Sequence, residues 1–125
     1  MFQIRQTFSR LALALAAAAP ALAGENPDAN LVRSHCAACH TFGKGEPHGL
    51  GPNLYGLLGR KAASARGYAY SPSFIQALGG QVWTPELLNA WLVDTQAFTP
   101  GTGMTYFLDD PSARAQLVKY FENRR

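Results

Sequence analysis

Five consecutive residues, Cys36-Ala37-Ala38-Cys39-His40, restrict this chain more than any other stretch of it. Two cysteines three apart and followed at once by a histidine form the attachment signature of a c-type haem. Positions i and i+3 of a helix share a face, so both thiols can reach the vinyl groups along one porphyrin edge. His40 lies beside them, four residues after Cys36, with an imidazole nitrogen for the iron. Such a pair has three other uses. A dithiol redox motif belongs in a strand-helix-strand setting, which nothing here suggests. A zinc site wants four nitrogen or sulfur ligands, and these two cysteines are the only ones in the chain. A disulfide closing so short a loop constrains little of the unfolded chain.

Length and leader come next. At 125 residues the chain is one domain. Arg5 and Arg10 precede an almost unbroken Leu/Ala run over residues 11–22, and Ala21-Leu22-Ala23 makes a small-x-small cleavage site before Gly24. That three-part layout is a secretory signal. We expect residues 1–23 to be a cleaved signal peptide and residues 24–125 the domain proper. A membrane span needs about 20 apolar residues, and Pro20 interrupts this run; an uncleaved anchor is the alternative. No paired arginines mark the basic segment, so export unfolded, with haem attachment outside the cytoplasm, is expected. Without Arg5 and Arg10 the charge drops from +3 to +1, and no Lys/Arg cluster suggests nucleic acid. A domain of about 100 residues buries a modest share of its surface, so a haem would supply much of the core.

Within the domain, four sites carry helix-start signals. Asn26-Pro27-Asp28, Ser71-Pro72, Thr84-Pro85-Glu86 and Asp110-Pro111 each place a capping side chain before proline. The second helix stops at Gly79-Gly80 after Leu78, and the last runs to about Asn123, with Asn123 to Arg125 expected to fray. Leu87, Leu88, Trp91 and Leu92 make an apolar stripe on the third. Residues 41–52 are rich in Gly and Pro and form a loop. A metal-bound histidine donates its other N–H to an acceptor; the carbonyl of Pro52 is the candidate, since proline has no competing N–H. His35 directly precedes Cys36, and its position suggests surface rather than a ligand.

The run CHTFGKGEPHGLGPNLYGLLGRK, followed by YSPSFIQALGGQVWTPELLNAWL and PGTGM, strongly resembles the class I c-type cytochromes, the mitochondrial and bacterial soluble cytochrome c branch. The likeness covers nearly all of residues 24–125. It implies an all-α fold, four to five small helices around one covalently bound haem, with the N- and C-terminal helices crossing. It also implies His/Met ligation, with His40 and Met104 on the iron and Pro52 as the acceptor for His40. Met104 is the only methionine after residue 23; a thioether is a soft ligand that, paired with His, raises the haem potential. The resemblance puts Arg60 near a haem propionate, with the Tyr70 hydroxyl and the Trp83 indole N–H on the same group. Buried anions need such donors, although a solvated turn for Arg60 and plain packing for the aromatics are the bland readings. His48 falls where the family has a loop histidine bonded to backbone. Trp91 stands where the family usually has tyrosine, Tyr106 where it often has phenylalanine, and the connection from Ser71 to Trp83 is about two residues longer.

With both axial positions filled the iron has no open site, so the expected chemistry is one electron in and one out. We therefore expect not an enzyme but a one-electron carrier in the periplasm, exported, serving a respiratory chain. Its partners would be a dehydrogenase, cytochrome complex or terminal oxidase, without nucleic acid or stable membrane insertion after cleavage, as a monomer or small complex. Two alternatives stand beside it: a dedicated electron-accepting subunit of a periplasmic dehydrogenase, and a haem enzyme or gas sensor whose distal ligand leaves. Mitochondrial relatives ring the haem edge with lysines; matching positions here are His35, Pro47, Gly49 and Gly103, so charge steering should be weak.

Overall fold

A computed structural model describes residues 17–19 and 26–124. The expected signal over residues 1–23 lies, apart from 17–19, outside these, as does Arg125. Five helices are described: α1 (Pro27–Cys36), α2 (Pro72–Leu78), α3 (Pro85–Val93), α4 (Thr95–Phe98) and α5 (Pro111–Glu122). Among the described residues there is no strand, only isolated antiparallel bridges Lys61↔Val82 and Asp94↔Phe107. None of these helices is long and apolar enough to cross a membrane.

Each long helix starts where its cap and proline put it. Asn26, Ser71, Thr84 and Asp110 have extended backbone, and each side chain accepts an N–H from the first turn, satisfying donors that the helix itself leaves open. α4 was not foreseen. Asp94 ends α3 and its carboxylate takes the N–H groups of Gln96 and Ala97, each at 3.0 Å, so one residue closes a helix and opens the next.

α1 and α5 pack against each other, and α3 packs on α5. Val32 and Leu117 are fully buried in the core, where the terminal helices were expected to cross. Tyr120 lies edge-on to Phe42 of the loop, with ring centres 6.3 Å apart. The exposed Lys119 ammonium approaches Asp28 at 3.8 Å, a contact that contributes little in water. α5 ends at Glu122, within a residue of the expected stop near Asn123. The amides of Asn123 and Arg124 bond Lys119 and Phe121 carbonyls, and the Arg124 guanidinium lies 4.1 Å over the Tyr120 ring.

The core is aromatic and continuous. Tyr70 stacks on Phe74 at 5.4 Å, and Phe74 leads to Trp83 and Trp91, whose rings meet edge-on at 6.2 Å. Cys36, Tyr70, Met104 and Tyr106 border this same cluster, so the helical shell gathers the attachment motif and the methionine loop on one apolar interior.

Candidate functional site

α1 ends at Cys36, and the turn that follows is closed by the His40 N–H on the Cys36 carbonyl at 2.9 Å. Cys36 is half-buried while Ala37, Ala38 and Cys39 face outward. Burial, with Cys39 adding, pushes the Cys36 thiol up to about 11. A dithiol redox motif works through a thiolate of lowered value, so the environment runs against that reading. Among the described residues no three His, Cys, Asp or Glu side chains converge into a metal-holding group, which leaves the zinc reading without a ligand set.

His40 is held from two sides. Its Nδ1 lies 2.7 Å from the Pro52 carbonyl. A carbonyl only accepts, so Nδ1 carries the proton and Nε2 presents its lone pair. Burial lowers the affinity of His40 for a second proton, and the Arg60 charge acts in the same direction against the pull of the Pro52 bond. Gly51 then walls the ring. A methyl group there would fall 2.7 Å from Nδ1, 2.8 Å from Nε2 and closer still to Cε1. The Gly51 N–H donates to the Cys39 carbonyl at 2.8 Å, folding the loop under the motif. His48 cannot compete for a metal. It accepts the Asn53 N–H at Nδ1 and therefore donates from Nε2 to the Arg66 carbonyl, at 2.9 and 2.7 Å.

Backbone pairing collects the other expected residues. The Gly59 N–H donates to the Trp83 carbonyl and the Trp83 N–H to the Arg60 carbonyl, both at 2.9 Å. Trp83 and Arg60 are thereby tied together despite the longer Ser71–Trp83 connection. The terminal nitrogens of Arg60 donate to the Asn53 and Tyr55 carbonyls at 3.0–3.2 Å. Its Nε is buried without a partner, and burial holds the guanidinium below its ordinary value while Tyr70 acts the other way. Tyr70 accepts the Ala65 N–H at 3.1 Å, which leaves its own O–H free to donate. Tyr68 spends its hydroxyl on the Leu50 carbonyl. An orphaned cationic donor costs free energy, and a haem propionate would be an acceptor of the kind it lacks. On this test the residues fit the group: two thiols, a correctly tautomerised imidazole, and a donor set in want of an anion.

Met104 is half-buried beside the core. Three residues that hold the loops of the site, one on the His40 side and two on the Met104 side, gave no sign in the sequence. Asn53 is buried and bonds Thr41, Gly43 and the Tyr55 N–H, stapling the loop around Pro52. Thr95 and Gln96, in α4, bond the backbone of the Met104 segment. Nothing about a lone Thr-Gln pair signals this; the only hint was Asp94 ahead of it as a cap. On the other flank, His35 Nδ1 and the Tyr106 hydroxyl are hydrogen-bonded at 3.0 Å. Burial, with Cys36 adding, pushes that hydroxyl up to about 12.

A small helical shell that gathers a CxxCH motif, a metal-ready histidine and anion-seeking donors defines a covalent haem protein. No family model matches the chain. It is 40% identical over 80 residues to a cytochrome c of Trypanosoma brucei brucei, covering 63% of this chain and 84% of that protein. It is 38% identical over 95 residues to a cytochrome c of Cochliobolus lunatus, covering 75% and 86%. A cytochrome c2 of Rhodopila globiformis matches at 39% over 94 residues, covering 74% and 86%. The chain belongs to the class I c-type cytochromes, a family of single-haem electron carriers, and carries one haem c attached through Cys36 and Cys39.

Proposed function

We propose that this cytochrome is a one-electron carrier whose iron is held between His40 Nε2 and the Met104 thioether. The observation that carries the reading is the 2.7 Å bond from His40 Nδ1 to the Pro52 carbonyl. It fixes the tautomer, aims the other nitrogen and makes the imidazole a stronger ligand. The haem supplies the one-electron couple; the chain's part is to hold and tune it, and axial ligands alone span about 0.8 V. Arg60, Tyr70 and Trp83 are the residues for the propionates, and the unpaired Arg60 Nε supports that role.

In this reading residues 1–23 are removed on export, and residues 24–125 work in the periplasm of a respiratory bacterium, with a dehydrogenase, cytochrome complex or terminal oxidase as partner. Segments 34–43, 47–59 and 95–108, which include the motif, the loop under His40 and the Met104 loop, contain no Lys, Arg, Asp or Glu. Association is therefore expected to change little between low and physiological salt; a rate falling more than tenfold would contradict this. The test of the whole reading is a redox titration of the purified protein followed by its visible spectrum. A low-spin haem in both oxidation states, with a midpoint toward the oxidising end, is expected. A high-spin ferric spectrum would favour an enzyme or sensor with an open site.

A further inference from the structure

The Met104 segment is held less by its own turns than by two neighbouring side chains of α4. Thr95 is completely buried. Its hydroxyl donates to the Met104 carbonyl at 2.7 Å and accepts the Tyr106 N–H at 3.0 Å, while its own N–H donates to the Tyr106 carbonyl at 3.0 Å. Gln96 works along the same stretch. Its amide nitrogen donates to the Thr102 and Met104 carbonyls at 2.8 and 3.0 Å, and its oxygen accepts the Gly101 N–H at 3.3 Å. Asp94 caps α4 through the amides of Gln96 and Ala97, which fixes where the glutamine starts. Between them, Thr95 and Gln96 engage Gly101, Thr102, Met104 and Tyr106.

Geometry gives this brace its meaning. A methionine side chain has three rotatable bonds and a soft, weakly held sulfur, so where the sulfur sits depends on how firmly its backbone is anchored. Here two donors grip the Met104 carbonyl, one from a buried hydroxyl and one from a side-chain amide. We propose that Thr95 and Gln96 are positioning residues for Met104: they hold its loop shut and so decide whether the iron keeps its thioether or accepts an outside ligand. The inference rests on Met104 being the axial ligand. It also connects the two readings of the chain, since a closed loop gives a carrier and a loosened one a ligand-binding haem.

The test uses the ferric holoprotein and imidazole as probe, read by the visible spectrum, with amide hydrogen exchange at Gly101 and Tyr106 alongside. Gln96→Ala and Thr95→Val should bind imidazole about 10- to 100-fold more tightly than the parent, the factor set by losing two or three hydrogen bonds of ordinary net strength. Both amides should exchange faster. Gln96→Glu keeps shape and an acceptor for Gly101 but sets a carboxylate against two carbonyls, so it should open the site at least as far as the alanine. Thr95→Ser retains the hydroxyl and should stay near the parent. Met104→Ala sets the ceiling. If it binds imidazole no better than the parent, methionine ligation is wrong. If it binds far better while Thr95→Val and Gln96→Ala remain within twofold of the parent, ligation stands and the brace is overturned. Should Thr95→Val fail to fold, the half-buried Gln96 variants decide the matter in the same way.

Discussion

Replacing Gly51 by alanine isolates the support under His40. Gly51 is buried, and its backbone is not in the left-handed region, so alanine meets no conformational objection of its own. The objection is space. The added carbon would stand 2.7 Å from Nδ1 and 2.8 Å from Nε2, about 0.6 to 0.7 Å inside the ~3.4 Å that close carbon–nitrogen contact allows. Relief requires the imidazole to slide by a comparable amount, and the 2.7 Å bond to Pro52 then leaves hydrogen-bond range. Overpacking a tight site costs about 1–3 kcal/mol, and a lost hydrogen bond with a stranded donor about 1–2 kcal/mol more. At about 4–8 °C per kcal/mol for a domain of this size, a combined loss of about 2–5 kcal/mol should lower the holoprotein's melting point by roughly 8–40 °C, and its Soret band should change with the strained ligand. Gly103→Ala is the control: it sits next to Met104, yet a methyl group there meets nothing within 4 Å. Its melting point should move by less than about 3 °C, as for an ordinary surface change. Thermal melts followed by Soret absorbance and circular dichroism compare the two. If Gly51→Ala melts with the parent and keeps its spectrum, the packing of loop on imidazole does not matter as argued.

Two further outcomes follow from the same geometry. Leu117→Ala leaves a cavity at a completely buried position of α5 and should cost about 2–5 kcal/mol in denaturant unfolding; a loss under 1 kcal/mol would mean that the helix crossing is not a core contact. Arg60→Leu removes the cation proposed for the propionates, which favours the more positive ferric state, so the midpoint should fall, by about 40 mV for every ~1 kcal/mol of lost charge interaction; an unchanged or raised midpoint in a spectroelectrochemical titration would remove Arg60 from that role.

Much of this was legible in the chain because its signals are local. Asn26, Ser71, Thr84 and Asp110 each precede a proline, and a cap plus a residue with no N–H to lose announces a helix without reference to the rest of the fold. The Pro52 carbonyl was legible for a similar reason: a chemical need of His40 met a residue with one thing to offer. α4 was not, since four residues without proline give no periodicity and Asp94 serves both neighbours at once. Nor was the path of Arg60, whose guanidinium bonds carbonyls of Asn53 and Tyr55; every residue has a carbonyl, and only the course of the loop selects two. Thr95 and Gln96 escaped for the same cause, as their partners are all backbone.

The account depends on one sulfur atom. Extended X-ray absorption fine structure at the iron edge of the purified protein reads the ligand shell directly. One sulfur scatterer among nitrogens, present in both the ferric and ferrous protein and absent from Met104→Ala, is the predicted result; a shell without sulfur, or one that keeps its sulfur in that variant, would contradict it.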